Sequence, residues 1–97
     1  MTYATIYRYL KAKNIPLSVA GFNHLAGAIK LKDVNPRKKM MEIYEHLAID
    51  SKTTANAVER AMRHAISRSG LAITNKEFIA QALYDLKYGV ESEADNE

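Results

Sequence analysis

Apolar residues recur along this chain at the spacing of a helix rather than a strand. In residues 3–13, Ile6, Tyr9, Leu10 and Lys13 fall at i, i+3, i+4 and i+7, with Lys13 burying only its stem and Thr2 placed to cap. Asn14 and Pro16 end that segment. From Ser18, a candidate cap, to about Lys32, the template returns as Phe22, Leu25, Ala26 and Ile29, and Gly21 and Gly27 offer a neighbouring helix a close approach. Asn35 and Pro36 form the clearest start signal, a cap followed by proline at the first helical position, and Met40, Ile43, Tyr44 and Leu47 supply the apolar face. Residues 53–67, TTANAVERAMRHAIS, start at a Thr54 cap and carry Val58, Ala61, Met62, Ala65 and Ile66 on one stripe. After the Ser69-Gly70 stop, Thr74 and Glu77 make a capping box for a last helix with Ile79, Ala82, Leu83 and Leu86 inward, ended by Gly89. No segment alternates as a strand and no repeat is present. The expected fold is therefore all-α, a compact bundle of about five helices over residues 1–89.

Composition narrows the function classes. The chain has 97 residues, 47% hydrophobic and 26% charged, which suits one small soluble domain without a deep substrate cleft. It has no cysteine, no secretory signal and no apolar run approaching the ~20 residues of a membrane span, so a cytoplasmic protein is expected. The net charge is +3, but residues 90–97, VESEADNE, hold four acids and no base, which leaves residues 1–89 at +7. A basic body favours a polyanionic partner. The acidic tail is expected to be disordered and to serve solubility.

The polar face of residues 54–68 carries the candidate chemistry. Opposite the apolar stripe lie Asn56, Arg60, Arg63 and Ser67, flanked by Glu59 and His64. Arginine forks match the paired acceptors of a guanine edge, asparagine pairs with adenine and a carboxylate accepts from the cytosine amine. A merely solvated face laced by an i,i+4 pair of Glu59 and Arg63, worth about 0.2–0.5 kcal/mol, fits the same pattern. Arg37, Lys38 and Lys39 cluster at the start of the third helix, where free N–H groups also favour anions. The short connection AIDSKTT, residues 48–54, joins the third helix to the focal one as in a helix-turn-helix, with Lys52, Thr53 and Thr54 where phosphates would pass. An enzyme is not expected. His24, His46 and His64 lie on separate elements without metal-like spacing, and GFNHLAG lacks the ending of a phosphate loop; no cofactor or metal is implied. Tyr3 and Tyr7 read as packing residues rather than a stacking platform.

At TTANAVERAMRHAI, residues 53–66, the chain resembles the C-terminal DNA-binding effector domain of the sporulation master response regulator of endospore-forming bacteria. TNKEFIAQALYDLK, residues 74–87, and more loosely NIPLSVAGFNHLAGAI, residues 14–29, follow the same family in the same order. The resemblance implies a helical bundle whose helix-turn-helix binds short, often tandem, DNA boxes to regulate transcription. Carried over by position, it implies base contacts from Glu59, Arg60 and Arg63, with Asn56, a base-contact candidate by its chemistry, where the family usually has another small polar residue. Arg37, Lys38, Lys39, Lys52, Thr53, Thr54 and His64 are the corresponding candidates for phosphate contact, His64 on the resemblance and the others on their place in the chain.

Two departures shape the expectation. Ala57 stands where the family leads one to expect arginine, and residues 67–73, SRSGLAI, make a shorter connection to the last helix than the family carries. The shortening puts RNA polymerase contact in doubt. No phosphoacceptor receiver lies in these residues, so the expectation is a stand-alone regulator that binds double-stranded DNA without phosphorylation control, a fragment of a larger regulator being the alternative. One such helix reads few base pairs, which calls for a second copy on tandem or paired sites. The competing function is a helical interaction protein that binds or antagonises another transcription regulator.

Overall fold

In a computed structural model that describes residues 1–89, five helices are present and no strand among them: α1 Tyr3–Ala12, α2 Ala20–Val34, α3 Met40–Ser51, α4 Ala55–Arg68 and α5 Asn75–Tyr88. The acidic tail lies outside the described residues.

α2 is the axle. It packs against each of the other four helices, and accordingly Gly21, Phe22, Leu25, Ala26, Gly27, Ala28 and Ile29 are all buried. Its buried positions are accordingly all apolar or glycine, while Asn23, His24, Lys30, Lys32 and Asp33 fall where the neighbouring helices leave it at least partly open. α4 buries Val58, Met62, Ala65 and Ile66, leaves Ala55, Ala57, Glu59 and Ala61 half-buried, the last short of the full burial its place on the stripe implies, and exposes the remaining residues. Ile6 and Leu10 from α1, Leu25 and Ile29 from α2, Ile43 from α3, Val58, Met62 and Ile66 from α4 and Ile79 from α5 fill the centre with 2% exposure or less. Tyr7 places its ring 5.7 Å from Phe22, and Tyr3 sits 5.8 Å from Tyr7, both tyrosines being exposed at the end of this aromatic run.

The two glycines of α2 set helix spacing. A methyl group on Gly21 would lie 2.2 Å from the Ala61 carbonyl oxygen and 2.6 Å from the Ala65 Cβ, so α4 rests on α2 at backbone contact. Gly27 faces the tip of Leu47, a softer neighbour.

Several boundaries differ from the sequence expectation. Ser18 does not cap α2; Val19 is the N-cap, with no side-chain bond. Asn35 and Pro36 do not start α3. The Asn35 carboxamide accepts from the Arg37 amide at 3.2 Å and its carbonyl from the Lys38 amide at 3.0 Å, closing a turn in which proline occupies an inner position. The helix begins at Met40, where Glu42 reaches back to accept from the Lys39 amide at 2.8 Å. At its other end α3 continues through Ser51, so the connection to α4 is residues 52–54 rather than 48–54. In α5, Leu83 and Leu86 are only partly buried, while Phe78, Asn75 and Asp85 are in the core. Asp85 accepts from the Tyr9 hydroxyl at 2.7 Å and from the Gln81 amide at 2.9 Å, with Lys13 at 3.9 Å, which ties α5 to α1.

Two non-glycine residues close helix ends in the left-handed region, as Gly70 and Gly89 do after α4 and α5. Asn14 (φ 64°) follows α1 and Lys52 (φ 55°) follows α3, and the Thr53 amide donates to the Ala48 carbonyl at 2.9 Å in the bonding pattern of a glycine-type stop. Lysine gains nothing from that conformation. Lys52→Gly is expected to raise stability by about 1 kcal/mol, seen as a melting midpoint higher by about 4 °C. An unchanged or lower midpoint would show that the lysine side chain compensates its own strain.

Candidate nucleic-acid interface

α4 begins where its sequence requires. The Thr54 hydroxyl accepts from the Ala57 amide at 3.1 Å, and four apolar side chains then anchor the inner face. The outer face follows from the same 3.6-residue period. Asn56, Arg60, Arg63, His64 and Ser67 are exposed and Glu59 is half-buried. Glu59 and Arg63 form a two-contact ion pair, with Nε and a terminal guanidinium nitrogen each 3.3 Å from a carboxylate oxygen. That pair is solvent-exposed, so its contribution to stability is small, and its effect is to hold one acceptor and one donor side by side. Arg60 makes no ion pair among the described residues.

The expected phosphate-facing residues fall into two groups that the fold keeps apart. Arg37, Lys38 and Lys39 occupy the turn before α3, with the Lys32 ammonium donating to the Lys38 carbonyl at 2.6 Å. Lys52, Thr53 and Thr54 occupy the turn after it, all exposed, with the Thr54 hydroxyl engaged as a cap. α3 separates them by its own length, roughly 18 Å at 1.5 Å per residue. Met40, next to the first group, lines one cleft with Glu59 and Arg63, whereas Thr53 lines a second groove with Ala57 and Ala61. The two cationic turns therefore approach α4 from different sides.

Ala57 is half-buried on the wall of that second groove, beside Asn23 and His24 of α2. A longer side chain there would start from the flank of α4 rather than from its outer face. Burial holds the His24 imidazole below its ordinary pKa, favouring the neutral ring. Hydrogen bonds from the Thr74 amide and hydroxyl hold the Glu77 carboxyl below its ordinary range, consistent with its capping role.

Two residues of the neighbourhood were not legible from the face pattern. Asn75 and Lys76 open α5, and both line the cleft, of about 410 Å³, shared by Met40, Tyr44, Glu59 and Arg63. Asn75 is 5% exposed; its amide donates to the Glu59 carbonyl and to the Tyr44 hydroxyl, both at 3.1 Å. The only sequence sign was their position directly after a capping threonine. Among the described residues no group of three or more His, Cys, Asp or Glu is placed to hold a metal ion, and no helix is long and apolar enough to cross a membrane.

A helix with one face sunk in the core and a basic face in solvent, joined by a three-residue turn to the helix that braces it, has the arrangement of a helix-turn-helix domain. Residues 6–80 match the family model for the sporulation initiation factor Spo0A C terminal, and the chain belongs to that family of DNA-binding transcription-factor domains. A search of curated proteins returns no match to the chain.

Proposed function

We propose that this chain is a sequence-specific regulator of transcription that lays α4 in the major groove of double-stranded DNA. The observation that carries the reading is the division of α4 into an anchored apolar face and an exposed face bearing Asn56, Glu59, Arg60 and Arg63. Arg60 and Arg63 supply forked donors to guanine, Asn56 a donor–acceptor pair to adenine, and Glu59 an acceptor to cytosine or a brace for Arg63. Arg37, Lys38, Lys39, Lys52 and Lys76, with Thr53, Thr54 and His64, bind the phosphates on either side and set the register. Occupancy by a second copy on a tandem or paired box extends the short site that one helix reads.

The deciding experiment is selection of bound sequences from a randomised duplex library at two salt concentrations. One short enriched box that persists at the higher salt supports the reading; its spacing reports how many copies bind. Retention without enrichment, lost at the higher salt, would leave only a basic surface and favour the interaction-protein alternative.

The phosphate group carries its own expectation. Lys38→Ala and Lys52→Ala should weaken selected and scrambled duplexes alike and each reduce the slope of log affinity against log salt by about 1, because each removes one neutralised phosphate. A change in sequence preference in either variant would place that lysine at a base edge instead. Lys52→Gly couples two signs: it stabilises the fold as argued above and weakens DNA as the alanine variant does.

A further inference from the structure

Among the described residues Asn75 is the one buried carboxamide, and the structure gives it no capping duty. Thr74 is the N-cap of α5 and Glu77 completes the box, so the first helical position needs no polar side chain. Yet Asn75 is 5% exposed, and its Oδ1 is buried without a hydrogen-bond partner. An apolar residue there would avoid leaving a buried acceptor unsatisfied. What the amide does instead is hold two helices. Its Nδ2 donates to the main-chain carbonyl of Glu59 on α4 and to the Tyr44 hydroxyl on α3, each at 3.1 Å. The carbonyl of Glu59 can only accept, which fixes the orientation of the amide.

We propose that Asn75 is a positioning residue for DNA recognition: its buried amide clamps the turn of α4 that carries Glu59, Arg60 and Arg63 against α3 and α5, and so sets the angle at which that face meets the base edges. The proposal rests on the DNA-binding reading above for its functional part and on the observed contacts for its structural part. The carbonyl of Glu59 already closes the helical turn whose donor is the Arg63 amide. A second donor from another helix therefore acts on the rotation and tilt of that turn and, by holding its carbonyl in place, on how often the turn opens. Side-chain packing does not aim that turn, because the Val58 and Met62 contacts are non-directional; the close approach of Gly21 to Ala61 sets the distance to α2, and the hydrogen bond adds the direction. A buried polar group with aimed partners is one way in which a fold specifies a single arrangement.

The test compares the wild type with Asn75→Ala and the gentler Tyr44→Phe, which removes one acceptor and leaves the ring. Affinities are measured for the selected box and for a scrambled duplex at one salt concentration, together with amide hydrogen exchange of α4 and α2. Asn75→Ala is expected to lower the box-to-scrambled ratio by about tenfold, with scrambled binding unchanged because that depends on charge. Exchange should accelerate at the amides of residues 60–63 relative to those of α2. Tyr44→Phe should shift both readouts in the same direction and by less. An unchanged ratio with exchange faster in α2 and α4 alike would overturn the proposal and reduce Asn75 to a stability residue. If the wild type itself prefers no box, the DNA reading fails, and the exchange comparison still decides whether the clamp on α4 exists.

Discussion

Gly21→Ala is expected to cost about 3 kcal/mol of stability, enough to push a domain of this size towards unfolding at moderate temperature. Intrinsic propensity points the other way, since alanine in a helix is favoured over glycine by about 1 kcal/mol. The sign is decided by space. The added methyl would lie 2.2 Å from the Ala61 carbonyl oxygen and 2.9 Å from its carbon, and backbone cannot rotate aside as a side-chain tip can. α2 and α4 would have to separate, opening the contacts around Phe22, Leu25 and Ile66. Gly27→Ala is the control. Its methyl meets the Leu47 Cδ2 at 2.7 Å, the end of a flexible side chain, so a loss clearly smaller than that of Gly21→Ala is expected. Thermal melts of the two variants check this, and a Gly21→Ala midpoint at or above wild type would mean that the helices do not pack at backbone contact.

Arg60→Ala and Arg63→Ala should each remove about 1–3 kcal/mol of discrimination between the selected box and a single-base variant, and so relax the preferred motif as well as weaken binding. The two arginines should not behave alike. Arg60 has no ion-pair partner among the described residues, so its loss removes a contact and little else. Arg63 is held by Glu59, so its loss also releases a carboxylate next to the DNA and adds repulsion from phosphates. Glu59→Ala tests that coupling: it should loosen Arg63 and blur the base it reads while raising affinity for scrambled duplex. Equal losses on selected and scrambled duplexes for both arginine variants would sink the assignment of base contacts to this face.

The apolar stripes of α2 and α4 were legible from the order of residues, and the two ends of α3 were less so. The α4 stripe and its Thr54 cap, and the Thr74 box with the Gly89 stop, appear in the structure as the spacing implies. These signals are local, set within one or two turns by side chains close in sequence. The Asn35-Pro36 signal is equally local but ambiguous, because a cap followed by proline also describes a turn, and the carboxamide bond to Arg37 resolves it as one. The end of α3 was misplaced because nothing in Lys52 advertises a left-handed residue. Asn75 and Asp85 escaped notice for a different reason: their partners, Tyr44, Glu59 and Tyr9, lie 16 to 76 positions away in sequence. At the candidate interface the exposure of Asn56, Arg60 and Arg63 followed from periodicity, whereas the clamp behind them belongs to tertiary structure.

Gly21 of α2 and Ala61 of α4 approach main chain to main chain. Helices that touch through side chains can slide as rotamers exchange, but here two main chains meet, and a main chain has no rotamers to exchange. α4 consequently travels as part of a solid body. A surface so mounted has little means of moulding itself to an imperfect target, and tolerance of one must come from the pliancy of the target.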